Sequence, residues 1–271
     1  MSFNTVIAIP TLNRVGKQIT LSNLPDRWKE KTVLVCPPDE YLKHKHRTVS
    51  CPAQGIHNVR QWIMSNIAAE CIIMLDDDMK FRHREPKPEG GHRLVYSDKE
   101  NVGKAMDWLE DAVMWRGFLQ AGLGQDYMSQ MRKEEELISV VIAAHAYHVE
   151  RYRKNHFRFD RVEYHEDVDV TLQILRKGLP NIVCNKYVRV QPSQQADGGC
   201  SEYRDVNNWN RATKKLLYYH KNYLRERWLP MDKEKAEDWR GEEGQECGHP
   251  IVLAKKAYKE ACRRFKLESI I

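Results

Sequence analysis

Three carboxylates in a row, Asp76, Asp77 and Asp78, end the apolar run CIIML at residues 71–75. Like charges at adjacent positions repel, and burial makes that repulsion worse, so the cluster calls for a cation. A hard divalent metal whose shell is completed by phosphate oxygens would supply one. A solvated acidic turn is the alternative. A second pair, Glu166 and Asp167, opens the stretch EDVDVTLQILRKG. A carboxylate at a helix N-terminus is favoured in its ionised form, and it can take a proton from a hydroxyl. An acidic first turn with no chemistry would read the same way. Two arginines follow strand-like segments: Arg14 in IPTLNR and Arg60 in QGIHNVR. A guanidinium at either place could pair with phosphate, or could be an exposed helix residue.

The elements that must position these groups alternate. TVIAIP (5–10), TVLVC (32–36), RTVSC (47–51) and CIIML read as strands. Val59, Ile63 and Ile67 have helical spacing, as do Val102, Met106, Leu109 and Val113, and then Val168, Leu172 and Leu175. Gly178 and Pro180 stop the last of these helices. LISVVIAAHAYHV (137–149) and NIVCNKYVRV (181–190) read as further strands, and the polar, Pro/Gly-rich RHREPKPEGGHR (82–93) as a surface loop. Strands alternating with helices predict an α/β fold with a mixed, mostly parallel sheet flanked by helices. In such a sheet, ligands bind beyond the carboxyl ends of the strands, where the three aspartates fall.

In this order, IPTLNR, QGIHNVR, the DDD after a strand and HEDVDV resemble the GT-A glycosyltransferases over roughly residues 5–190. The resemblance implies a nucleotide-sugar donor, such as a UDP-sugar like UDP-glucose, and a divalent metal, Mn2+ or Mg2+. It implies that Asp78 binds the metal with Asp76, which sits near the ribose, and that Asp77 belongs to the donor site. Pro10, Thr11, Asn13 and Arg14 would contact base and phosphates. Gln54, Gly55 and Arg60 match the family's donor-site spacing. Asp167 would be the catalytic base of an inverting transfer, with Glu166 next in line. A further histidine ligand is open among His165, His220 and His249.

The combination of IPTLNR, CPPDE, IIMLDDDM and GGCSEYR is similar to the TET-associated glycosyltransferases, mostly phage-encoded. That implies a 5-hydroxymethylpyrimidine in DNA, such as 5-hydroxymethylcytosine, as acceptor. Charge agrees in direction. The chain carries +6 over 271 residues, and residues 204–271 hold 16 Lys/Arg against 11 Asp/Glu, or +5. A transferase core at 1–204 and a basic helical extension at 205–271 are therefore expected. Gly198, Gly199, Ser201, Tyr203 and Arg204, with Lys214, Lys215, Lys221 and Arg225, are the acceptor and DNA candidates. Tyr218, Tyr219, Tyr223, Tyr258 and Phe265 stand among the cations and could stack on bases or fill a core.

Seven scattered cysteines without a Cys-x-x-Cys pair argue against a disulfide framework or zinc ribbon. No basic leader and no membrane-length apolar window is present, so a cytoplasmic protein with no membrane partner is expected. Competing readings are transfer to a glycan or small molecule, and a DNA-binding protein with a degenerate transferase fold. A nucleotidyltransferase would need a Gly-rich loop after the first strand, which IPTLNR does not provide.

Overall fold

The computed structural model describes residues 3–126, 133–191 and 204–271. The first half runs β1 (Thr5–Pro10), α1 (Ile19–Asn23), α2 (Asp26–Lys29), β2 (Thr32–Cys36), β3 (Thr48–Ser50), α3 (Ile56–Asn66) and β4 (Cys71–Met74). A hairpin, β5 (Lys80–Pro86) and β6 (His92–Tyr96), leads to α4 (Lys99–Met114) and β7 (Gln120–Gln125). Then follow β8 (Glu135–Leu137), β9 (His145–His148), α5 (Val149–Lys154), α6 (Glu166–Leu175) and β10 (Asn181–Val190). The C-terminal part holds α7 (Val206–His220), β11 (Leu224–Arg225), β12 (Trp228–Pro230), α8 (Lys233–Asp238), β13 (Glu246–Gly248), β14 (Ile251–Val252) and α9 (Ala254–Phe265).

The main sheet has the order β3-β2-β1-β4-β9-β7-β10-β5-β6, with β8 paired to β10. The β3-β2-β1-β4 block is parallel, as is β7 with β10, and β9 is antiparallel to both β4 and β7. From β1 the chain moves outward to β2 and β3, then returns to β4 on the other side. The switch point lies between β1 and β4, and their carboxyl ends deliver residues 11–14 and 76–78.

Strand alternation divides the core. Ile7, Ile9, Cys71 and Ile73 pack on α4 through Val102, Met106, Leu109 and Val113. Ala8, Ile72 and Met74 face the other way, onto Ile63 and Met64 of α3 and Val170 and Ile174 of α6.

Two expected boundaries differ. The polar run at 82–93 is not a loop: it forms most of the β5–β6 hairpin, which extends the sheet at its edge by pairing with β10. Only Phe81 of β5 is buried, so an edge ribbon with solvated faces needs few apolar residues. The apolar run at 137–149 is not one strand either. It breaks between β8 and β9, where Ala143 has φ 63°.

The C-terminal part mixes helices with two small two-stranded sheets, β11–β14 and β12–β13. It packs on α6: Leu172 and Leu175 share a buried cluster with Ala212 and Leu216 of α7 and Ala257, Tyr258 and Cys262 of α9. A polar tie reinforces this contact. His220 Nε2 lies 2.7 Å from Asp169 Oδ1 on α6, with both side chains fully buried. Gln173 donates to the same carboxylate at 2.7 Å, and Arg161 lies 3.4 Å from it. His220→Ala leaves this buried charge short of a donor, and should cost about 3 kcal/mol in denaturant unfolding. A change below about 0.5 kcal/mol, the scale of a neutral surface substitution, would show that Gln173 and Arg161 suffice.

Candidate active site

A cleft of about 1000 Å³ opens at the switch point. Pro10, Thr11, Asn13, Arg14, Gln54, Gly55, Arg60, Asp76, Asp77, Asp78, Glu166, Asp167 and Arg204, all expected from the sequence as site residues, line it together. Lys214, Lys215, Lys221 and Arg225 are exposed and do not line it. Gly198, Gly199, Ser201 and Tyr203 lie outside the described residues.

The aspartate turn is braced from below by α1. Thr20 Oγ1 donates to the Asp76 carbonyl at 2.5 Å and accepts from Met79 N–H at 2.8 Å, while Thr20 N–H donates to the Asp77 carbonyl at 3.0 Å. Asp77 points inward, to the loop after β1. Its carboxylate accepts from Thr11 Oγ1 at 2.7 Å and from Arg14 at 2.5 Å. Burial pushes the Asp77 carboxyl up to about 6, against the pull of Arg14 and Thr11. Arg14 also reaches Asp78 Oδ2 at 2.8 Å. The other Asp78 oxygen, Oδ1, is buried with no hydrogen-bond partner among the described residues.

Arg60 links the two acidic clusters. Its guanidinium lies 2.7 Å from Asp76 Oδ1 and 2.7 Å from Glu166 Oε1, and also contacts Asp167 Oδ1. The side chain is 3% exposed, so carboxylates rather than solvent balance its charge. Gly55, with φ 80°, opens α3, the helix that carries Arg60; a Cβ there would stand 2.8 Å from the His57 ring. Asp76 is held on its other oxygen by Gln191 Nε2 at 2.6 Å, just beyond the end of β10.

Glu166 and Asp167 occupy the first turn of α6, and their surroundings push them apart. Asp167 accepts from Ala143 N–H at 2.9 Å on one oxygen and from Arg60 on the other. Burial opposes its charge, but the Arg60 guanidinium overrules it and holds the carboxyl below its ordinary range. Glu166 is pushed up to about 7 by burial, in spite of Arg60. Its Oε2 is buried with no hydrogen-bond partner among the described residues. Two neighbouring carboxylates thus have separate characters, one a fixed anion and one able to change protonation near neutrality.

Backbone strain gathers here. Asn13, Ala143 and Tyr164 line the cleft with φ values of 55°, 63° and 58°. Non-glycine residues in that region are held by their surroundings, and such residues cluster at functional sites.

The donor set fits a hard divalent cation at Asp78, whose Oδ1 has no hydrogen-bond partner among the described residues; Asp76 stands beside it, with its oxygens on Arg60 and Gln191, and could join only by exchanging one of them. Among the described residues no group of three or more His, Cys, Asp or Glu could hold a metal unaided. A cation held at this turn would take most of its shell from substrate oxygens and water, as is usual for Mg2+ beside phosphates. The three histidines left open by the sequence have other partners: His165 bonds Thr213 at 2.8 Å, His220 bonds Asp169, and His249 lies 3.2 Å from Lys235 Nζ.

Several lining residues escaped sequence reasoning. Pro37, Pro38, Asp39 and Glu40 border the cleft, and Glu40 accepts from Asn13 N–H at 2.7 Å. Their position just after β2 was the available signal. Asn208 and Arg211 of α7 reach the rim, beside Trp209 and Tyr164. Lys215, one further turn along, depresses the His57 imidazole after burial and against the pull of Glu163. Positions 208, 211 and 215 share a helix face, so Arg211 lines the cleft at its rim and Lys215 continues the same face beyond it. Tyr258, offered from sequence as a stacking residue, is core at 2% exposure, whereas Tyr218 is 83% exposed.

The family described as TET-Associated Glycosyltransferase matches residues 5–199. Among curated proteins, the Beta-glucosyl-HMC-alpha-glucosyl-transferase of Enterobacteria phage T6 is 24% identical over 224 residues, covering 77% of this chain and 78% of that protein. Its counterpart from phage T2 is 23% identical over 222 residues, with the same coverage. Among solved structures, S. aureus TarS 1–349 in complex with UDP-GlcNAc superposes with a TM-score of 0.53 at 12% identity, over 87% of this chain and 69% of that one. Glucosyl-3-phosphoglycerate synthase from Mycobacterium tuberculosis, in complex with Mg2+ and UDP, gives 0.51 at 13%, over 93% and 89%. No helix among the described residues is long and apolar enough to cross a membrane. The fold is that of the GT-A glycosyltransferases, and with the match spanning most of the chain and both acidic clusters, the protein belongs to the TET-associated glycosyltransferase family.

Proposed function

We propose that this glycosyltransferase moves a sugar from a UDP-sugar to a hydroxymethylated pyrimidine, or to a sugar already carried by one, in DNA. The observation that carries the reading is the meeting of Asp78, whose buried Oδ1 has no hydrogen-bond partner among the described residues, and the Glu166–Asp167 pair in one cleft with Arg211 of α7 at its rim. The phage relatives, named as acting on glucosyl-HMC, support the acceptor class. The UDP complexes of the structural neighbours, one with Mg2+ and one with Mn2+, support the donor class.

Asp78 would hold Mn2+ or Mg2+, joined by Asp76 in exchange for its contact with Arg60 or Gln191, and the ion's charge would offset that of the leaving diphosphate. Asp77 keeps Thr11 and Arg14 in place at the donor end, and Gln191 orients Asp76. At the acceptor end, Asp167 is the fixed anion that holds Arg60. Glu166, with a free oxygen and a pKa near neutrality, receives the proton of the attacking hydroxyl. This reverses the order expected from the sequence, because both Asp167 oxygens are already engaged. Retention of configuration is a second reading. The relatives are named alpha-glucosyl-transferases, and UDP-glucose itself carries an α-linked glucose. The anomeric coupling constant in the proton NMR spectrum of the product distinguishes the two.

The α7 face and the basic segment after it supply contacts to DNA phosphates. Affinity for duplex should fall with salt at a log–log slope near −0.9 per neutralised phosphate. Neutralising Lys214, Lys215, Lys221 and Arg225 together should weaken binding and flatten that slope. Hydrolysis of the donor without acceptor should persist, since none of the four lines the cleft. Identical slopes for wild type and variant would make the extension a brace on α6 and direct the search to smaller acceptors.

A further inference from the structure

A chain of hydrogen bonds behind the cleft determines which nitrogen of His145 carries the proton. It begins at the backbone. Asn181 Oδ1 accepts from Ser139 N–H at 3.0 Å, so the Asn181 amide nitrogen must do the donating, to the Ser139 carbonyl at 2.8 Å and to Gln120 Oε1 at 2.8 Å. The Gln120 oxygen is thereby used, and its Nε2 donates to the Tyr147 hydroxyl at 2.9 Å and to Thr171 Oγ1 at 3.1 Å. Tyr147, receiving a bond from Gln120, still has its own hydroxyl proton to place. The acceptor is His145 Nδ1, 2.9 Å away. An imidazole that accepts at Nδ1 carries its proton on Nε2. Burial keeps this ring neutral, with its pKa pushed down to about 4.

His145 Nε2 is buried with no hydrogen-bond partner among the described residues, and Asp167 Oδ1 lies 3.7 Å from it. At that distance the contact is electrostatic rather than a hydrogen bond. Its sign depends on the tautomer. With Nε2 protonated, the ring turns the positive end of an N–H dipole toward the carboxylate; the other tautomer would turn a lone pair toward it. His145, Tyr147, Gln120, Thr171 and Asn181 are all 0% exposed. Apolar side chains could fill such a layer without desolvating polar groups, and this chain of polar ones leads to Asp167.

We propose that His145 is a positioning residue for Asp167, set in its Nε2–H tautomer by the Asn181–Gln120–Tyr147 relay. Through it, the sheet interior keeps Asp167 anionic and aligned on Arg60. The proposal rests on the reading of Asp167 as the fixed anion of the acceptor end.

Long-range 1H–15N correlation on the full chain, with the His145 ring assigned by its loss in His145→Gln, reads the tautomer directly. The expected result is a protonated Nε2 at neutral pH, with Tyr147→Phe shifting the ring toward a mixture. A protonated Nδ1 in the wild type overturns the proposal. Kinetics supply the second test. His145→Gln places an amide N–H near the position of Nε2 and should keep kcat within about 3-fold. His145→Asn, too short to reach, should lower kcat by about 10-fold or more with donor KM unchanged. In an Asp167→Asn background, His145→Asn should cost nothing further. Equal losses in the two His145 variants, or additive losses with Asp167→Asn, overturn the proposal. Wild-type turnover in Asp167→Asn alone would instead remove the reading of Asp167 on which it stands, an outcome distinct from the other two.

Discussion

Asp78→Ala will abolish sugar transfer while the protein stays folded. Asp78 is half-buried in the cleft, and its Oδ1 has no hydrogen-bond partner among the described residues to lose. Its Oδ2 shares Arg14 with Asp77, which keeps that arginine in place when Asp78 is gone. The expected loss is on the order of 10³-fold or more, the worth of about 4 kcal/mol of charge stabilisation at a leaving phosphate. A chelator added to the wild-type protein should reproduce it, and Mn2+ or Mg2+ should restore activity only to the wild type. Asp77→Ala should behave differently. It releases Thr11 and Arg14, so lower stability should accompany its loss of activity. Full turnover of Asp78→Ala, or of wild type in excess chelator, would rule out a metal held at this turn.

Glu166→Gln will lower kcat by about 10²-fold or more and leave donor affinity near its wild-type value. The pH profile carries the sharper signature. As the proposed base, Glu166 would act when deprotonated, and burial pushes its carboxyl up to about 7, so wild-type kcat should rise with pH through neutrality and then level. In Glu166→Gln that limb should disappear. Asp167→Asn should also lose activity, by freeing Arg60 from one of its three carboxylates, but should keep the limb. If the limb survives in Glu166→Gln and vanishes in Asp167→Asn, the roles are the other way round, as the sequence alone suggests. An unchanged profile in both would favour a retaining route in which neither carboxylate takes the proton.

Much of this site is legible in the sequence because its parts are local. Five apolar residues before three aspartates mark a buried strand and its end, and the helical spacing after Glu166 marks a helix N-terminus. Both signals lie within a few residues of the groups they position. Arg60 is different. Its partners Glu166 and Asp167 stand 106 and 107 positions away, and no local pattern says that a guanidinium will face carboxylates instead of phosphate. His145 is hidden for the same reason. It sits in an apolar run that reads as one strand; its partner Tyr147 is two residues away, but the groups that give the pair its role, Gln120, Asn181 and Asp167, come from β7, β10 and α6. The β5–β6 hairpin was lost because an edge ribbon exposes most of its side chains, so its composition is that of a loop. The basic extension was visible as charge, but only the helix register shows that Asn208, Arg211 and Lys215 share one face while Lys214 turns toward Trp228.

The central claim, transfer of a sugar onto a modified pyrimidine in DNA, has one direct measurement. Hydroxymethylated and glucosyl-hydroxymethylated DNA, with unmodified DNA as control, would be incubated with the protein, Mn2+ and a panel of nucleotide-sugars. The DNA would then be digested and its nucleosides weighed by mass spectrometry. The account predicts a mass increase of one sugar residue on the modified pyrimidine nucleoside, with a UDP-sugar as donor, absent from unmodified DNA and absent with Asp78→Ala. Donor turnover with no change in any nucleoside mass, for every donor and both modified DNAs, would contradict it.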